Sequence, residues 1–176
     1  MKTFYKILLL ITLLLTSNTS KSAEYLYILN DECINTLYSS ATKHLKDSSI
    51  NIIKDSRGII IRFFIPNPSN EYRNPSLKVY SKIESFLAKI ENPAIIEVHV
   101  GNLSENEPIK LKKWEFSTIL ANNIEAIITK PNGSIEQTRI NSIGYGEFLP
   151  AKNTSNNGGE ISNRVDIIIL CNISGE

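Results

Sequence analysis

The chain has 176 residues, of which 41% are hydrophobic and 21% charged. That length suits one domain with extras, and the apolar share is enough for a core, which excludes wholesale disorder. The formal net charge of +1 leaves no basic excess to draw in nucleic acid through counterion release.

The first segment reads as a secretory signal peptide. "MKTFYK" is a basic start, "ILLLITLLLT" an apolar run and "SNTSKSA" a small polar tail. The apolar run is too short for a comfortable membrane span. Ser20 and Ser22 supply the small residues wanted before a cut after Ser22 or Ala23. An uncleaved N-terminal anchor is the rival reading. No cysteine lies near the cut, so no lipid anchor is expected. Taking Lys2, Lys6 and Lys21 from 19 basic residues leaves 16 against 18 acidic ones, a net charge near −2.

Downstream, "EYLYIL" (24–29) reads as a short strand. The next stretch, 31–47, places Ile34, Leu37, Ala41 and Leu45 at helical spacing, with Asp31 as its cap and His44 flanking the stripe. "SSINIIKDSRGIIIRFFIP" reads as two strands around a tight turn at Asp55 to Gly58. "NPSNEYRNPS", rich in Pro, Asn and Ser, reads as loop. A helix follows, with Leu77, Tyr80, Ile83, Leu87 and Ile90 on one face and Asn92-Pro93 as its stop.

"AIIEVHV" alternates as a strand, with Ile96, Val98 and Val100 on one side and Glu97 and His99 on the other. After a polar loop, "KLKK" (110–113) reads as one solvated turn of a helix. "WEFSTILANNIEAII" is the second amphipathic helix, with Phe116, Ile119, Leu120, Ile124, Ile127 and Ile128 as its apolar set. "SIEQTRINSIGYG" and "RVDIIILC" are the last strands, separated by a long polar loop. This order argues for an α/β layer in which helices cover one face of a mixed sheet.

Cys33 and Cys171 could pair in an oxidising compartment. Their spacing alone leaves open whether they meet. Two cysteines and two lone histidines lack metal-ligand spacing, so neither metal nor cofactor is expected. No Ser, Cys or Asp is placed by motif to make His99 a catalytic base, so the chain is expected not to be an enzyme.

Three blocks carry a resemblance. The first is "DSRGIIIRF" with the helix "LKVYSKIESFLAKI" and the strand "IIEVHVGN"; the second is "WEFSTILANNI"; the third is "GYGEFLPAKNTSNNGGEISNRVDI". In series they resemble the OmpA-like domain found at the C-terminus of outer-membrane protein A and of the stator protein MotB. The resemblance covers residues 47–171. It divides the chain into a signal peptide (1–22), a strand and helix lead (23–46), the OmpA-like domain and a short tail (172–176). Gly144, Tyr145, Gly146, Glu147 and Pro150, then Asn153, Gly158 and "NRVDI", follow the family pattern most closely.

The resemblance implies non-covalent attachment to peptidoglycan in the periplasm, through the diaminopimelate side chain of the stem peptide. The family grips that zwitterion with an Asp after the strand and an Arg on the next helix, the latter a charge-assisted fork. On this pattern Gly101, followed by Asn102, falls where the Asp belongs. Leu120 falls where the Arg belongs, and Arg164 matches one arginine of the family's Asn-Arg-Arg stretch. Removing one partner of a desolvated charge pair costs about 2–5 kcal/mol. At roughly 1.4 kcal/mol per factor of ten, even one loss weakens binding about 30-fold or more. Losing both leaves no orphan charge.

The expectation is a non-enzymatic periplasmic scaffold, or a subunit of a trans-envelope assembly such as a secretion system, with outer-membrane association a further possibility and envelope proteins as partners. The alternative is a working peptidoglycan anchor. In that reading Glu105 or Glu107 supplies the anion and Lys112 or Lys113 the cation.

Overall fold

The computed structural model describes residues 30–65, 67–73, 76–101, 112–130, 133–148 and 163–171. The expected signal peptide, the "EYLYIL" strand, the loop at 102–111, residues 149–162 and the tail lie outside these residues. No helix among the described residues is long and apolar enough to cross a membrane.

Helix α1 covers residues 30–44. Ile34, Leu37, Ala41 and Leu45 are all buried, as their spacing predicts. Asp31 is not a cap, because residue 30 is already helical; it is an acid inside the helix. Strands β1 (Ile50–Asp55) and β2 (Gly58–Phe64) form the expected antiparallel hairpin, closing at Asp55 opposite Gly58. Asp55 Oδ1 secures the turn by accepting from Arg57 N at 3.1 Å and Arg57 Nε at 2.8 Å.

The Pro-rich stretch read as loop contains a short helix, α2 (Pro68–Arg73). Asn67 Oδ1 accepts from Asn70 N at 2.9 Å, and Pro68 takes the first helical position. Asn before Pro is therefore a helix start here, since proline's missing N–H would be unpaired there anyway.

Helix α3 (Leu77–Leu87) buries Tyr80, Ile83, Phe86 and Leu87. Leu77, expected on the inner face, is exposed, and Phe86 fills the stripe instead. The helix stops well before Asn92-Pro93. Lys89 N and Ile90 N bond Phe86 O and Leu87 O, tightening the last turn into a three-residue pattern.

Strand β3 (Ala94–His99) leads to α4 (Lys113–Ile128). Lys112 caps α4, its backbone N–H donating to Glu115 Oε2 at 2.9 Å. Of "KLKK", then, Lys112 precedes the helix and Lys113 begins it. The buried face of α4 is Phe116, Ser117, Leu120, Ala121, Ile124 and Ile128. Ile119 turns outward because the stripe runs through the small residues Ser117 and Ala121, where the helix lies close to the sheet. Strands β4 (Ile140–Gly146) and β5 (Arg164–Leu170) complete the fold.

The sheet order is β1-β2-β5-β3-β4. Strand β4 runs parallel to β3 and every other pair is antiparallel, giving the mixed sheet expected. Residues of α1, α3 and α4 join Ile59, Ile61, Phe63, Ile96, Val98, Val165, Ile167 and Ile169 in one core, so the helices share one face. Two glycines seat α4 on β4. A Cβ on Gly144 would lie 2.1 Å from Thr118 N, and one on Gly146 would lie 2.8 Å from Trp114 N. Gly146 also has φ +56°, a left-handed conformation that favours glycine. The Gly-Tyr-Gly motif thus marks a helix in backbone contact with a strand.

Cys33 and Cys171 form a disulfide, with Cα atoms 5.9 Å apart. It ties α1 to the end of the central strand across 138 residues of sequence. Closing so long a loop removes much unfolded-state entropy. The Cys33→Ser/Cys171→Ser double variant should lose about 3 kcal/mol of stability by urea unfolding. An unchanged urea midpoint would show that α1 is held by its apolar stripe alone.

Candidate functional site

Strand alternation puts charge on the side of the sheet away from the helices. Val165, Ile167, Ile96, Val98 and Ile61 enter the core. Their neighbours Arg164, Asp166, Glu97, His99 and Arg62 therefore point the other way. Register brings them together, with Asp166 opposite both Arg62 and Glu97, and Arg164 opposite His99. Asp166, His99, Arg164 and Glu97 are all buried.

Asp166 is the hub. Arg62 grips it as a fork, Nε to Oδ1 at 2.6 Å and Nη2 to Oδ2 at 2.8 Å. Arg164 Nε adds a bond to Oδ2 at 3.0 Å. Burial pushes the Asp166 carboxyl up, but the Arg62 bonds and the charges of Arg62 and Arg164 outweigh it and hold the group below its usual range. The same bond to Asp166 raises Arg62, against the opposing effect of burial.

Glu97 lies 3.4 Å from Arg57 Nη1. Burial and the neighbouring Glu97 raise the Tyr145 phenol. The Tyr145 ring stacks on His99, with centroids 5.0 Å apart and 7° between the planes. His99 Nδ1 lies 3.3 Å from Phe148 O. Its Nε2 lies 3.8 Å from Glu97 Oε2 and 4.0 Å from Asp166 Oδ2.

Of the positions carried over from sequence, Leu120 and Arg164 are separated. Leu120 is 1% exposed on the core side of α4. Arg164 is on the opposite face of the sheet, bonded to Asp166, so the two do not converge. Gly101 ends the described part of the β3 loop, and Asn102, Glu105 and Glu107 lie outside the described residues. Lys113 Nζ pairs with Glu147 Oε2 at 2.6 Å, and Lys112 serves as the helix cap through its backbone. Trp114 is half exposed, and its backbone, more than its ring, sets the contact with Gly146.

A cavity of about 340 Å³ opens beside Leu120, bordered by Glu71, Tyr80, Asn123 and Ile127. The Glu71 carboxylate is already engaged. It accepts from Ser76 N at 2.7 Å, Ser76 Oγ at 2.8 Å and Tyr80 Oη at 2.7 Å. Burial and that last bond push the Tyr80 phenol far above its ordinary value.

Sequence reasoning noted His99 and Arg164 but missed Glu97, Asp166 and Arg62 as their partners. The signal was present: a charged residue at every second place in "IIEVHV" and "NRVDI", and an arginine in "GIIIRF". Charges inside buried strands mark a cluster only once the strand order is known.

No protein-family model matches the chain, and no curated protein matches it. Solved structures do. A MotB-like protein from Desulfovibrio vulgaris is similar with TM-score 0.64 at 20% identity, covering 84% of this chain and 97% of its own. The cell wall anchor of the T6SS from Pseudomonas aeruginosa gives TM-score 0.59 at 15% identity, covering 76% and 96%. The periplasmic domain of Helicobacter pylori MotB gives 0.57 at 14%, covering 71% and 81%. The fold is thus the OmpA-like and MotB fold that the three sequence blocks predict.

Asp166→Asn tests the hub. It leaves Arg62 and Arg164 facing a neutral amide, which should cost about 3 kcal/mol at pH 7. A carboxyl held below its ordinary value of 3.8 contributes fully above that value and loses its contribution as pH falls through the lower folded value. The stability gap between wild type and variant, measured by urea unfolding, should therefore be constant from pH 7 to pH 5 and narrow below pH 3.8. A gap that widens on acidification would contradict this assignment.

Proposed function

We propose that the protein is a non-enzymatic periplasmic component of the cell envelope whose diaminopimelate grip has been given up. It acts as a scaffold or subunit of a trans-envelope assembly such as a secretion system. The observation that carries the reading is Leu120, which packs into the apolar core where the family pattern has its arginine. Arg164 does not substitute for it, since its guanidinium bonds Asp166 across the sheet. Similarity of fold to a secretion-system cell wall anchor and to MotB periplasmic domains supports the envelope setting. The signal-peptide layout of residues 1–22 supports export.

The alternative, a working anchor with shifted residues, draws on Lys113 as its cation. Lys113 is engaged with Glu147, and an ammonium lacks the fork that matches a carboxylate. What remains for partner proteins is the surface of an intact fold.

Co-sedimentation with purified sacculi tests the reading. Retention should be weak and non-saturable, with Glu105→Ala and Lys113→Ala without effect. Saturable retention abolished by free diaminopimelate would overturn it. Loss of that retention in either alanine variant would establish the shifted-residue anchor.

A further inference from the structure

The charged face of the sheet holds one cluster that combines metal-ligand chemistry with a polar atom lacking a bond. Glu97, His99 and Asp166 are buried, and each offers one ligand atom, all within 4.8 Å of one another. His99 is 2% exposed, and its Nε2 has no hydrogen-bond partner. Its Nδ1 lies 3.3 Å from Phe148 O. A carbonyl only accepts, so that contact places a proton on Nδ1, and the neutral ring then carries its lone pair on Nε2. The lone pair then faces Glu97 Oε2 at 3.8 Å and Asp166 Oδ2 at 4.0 Å. Three electron-rich atoms converge on a gap too wide for hydrogen bonds. Such an arrangement is stabilised by a cation between them.

We propose that Glu97, His99 and Asp166 form a binding site for a divalent transition-metal ion of the Zn²⁺ type. One imidazole and two carboxylates are the ligand types such ions take. Metal–ligand bonds of about 2.0–2.2 Å bring donor atoms to roughly 3.3–3.6 Å apart, so modest side-chain movement closes the site. The Phe148 carbonyl supplies the outer partner that fixes a ligating histidine's tautomer.

Neighbouring charges set the strength. Arg62 and Arg164 both bond Asp166 Oδ2, so ligation by that oxygen displaces one of them. Arg57 touches Glu97 at 3.4 Å and its side chain is half exposed, so it can swing away. Three guanidiniums thus compete with the ion for these carboxylates. The site stands apart from Leu120 and does not depend on the peptidoglycan reading.

The chain has two histidines, and the second, His44, is exposed on α1. Zinc chloride titrated into the full chain, with histidine side chains labelled with ¹⁵N, reads both at once. The His99 Nε2 resonance should shift, saturate at one-to-one stoichiometry and return on adding EDTA, with His44 unmoved. Glu97→Gln, which keeps size and hydrogen bonding, should weaken binding about tenfold or more. A His99 signal that stays put at millimolar zinc, or equal binding by Glu97→Gln, would overturn the proposal.

Discussion

Asp166 is the residue on which the architecture turns. It sits in β5, the central strand that joins the β1–β2 hairpin to the β3–β4 half of the sheet. Its backbone pairs with Arg62 on one side and Glu97 on the other. Its carboxylate takes Arg62 and Arg164 at once. A buried charge is costly unless it is paired and hydrogen-bonded. Any one-residue slip of β5 would bring that carboxylate into the apolar core and break both pairs, so Asp166 fixes register as well as charge.

The two faces of the sheet thereby differ in character. One face is Ile, Val and Phe against three helices; the other carries the ionic cluster of Arg62, Glu97, His99, Arg164 and Asp166 beside Ile60 and Ile168. Helix α4 belongs to the first face, and its seat is defined by Gly144 and Gly146. Leu120 packs on this face as an aliphatic side chain, while an unpaired guanidinium there would need a partner that Glu71 is not free to be. The cluster of buried charges around Asp166 is on the far side of the sheet.

Much of this was legible in the sequence. Strong periodicity located every long element, and the α1 residues Ile34, Leu37, Ala41 and Leu45 are all buried as spaced. Local chemistry was harder to read. Asn67-Pro68 looks like a loop signal until Asn67 is seen accepting from Asn70. Ile119 looks like core until the small residues Ser117 and Ala121 are seen to carry the contact with the sheet. The disulfide depended on a distance that spacing does not encode. The ionic cluster depended on strand order, since Arg62 and Asp166 are 104 residues apart in sequence.

The central claim is the proposed loss of the diaminopimelate grip. Isothermal titration of the full chain with a soluble stem peptide containing diaminopimelate tests it most directly. The account predicts no saturable heat at concentrations that saturate an authentic OmpA-like domain. Stoichiometric binding that is lost when the peptide carries lysine in place of diaminopimelate would contradict it.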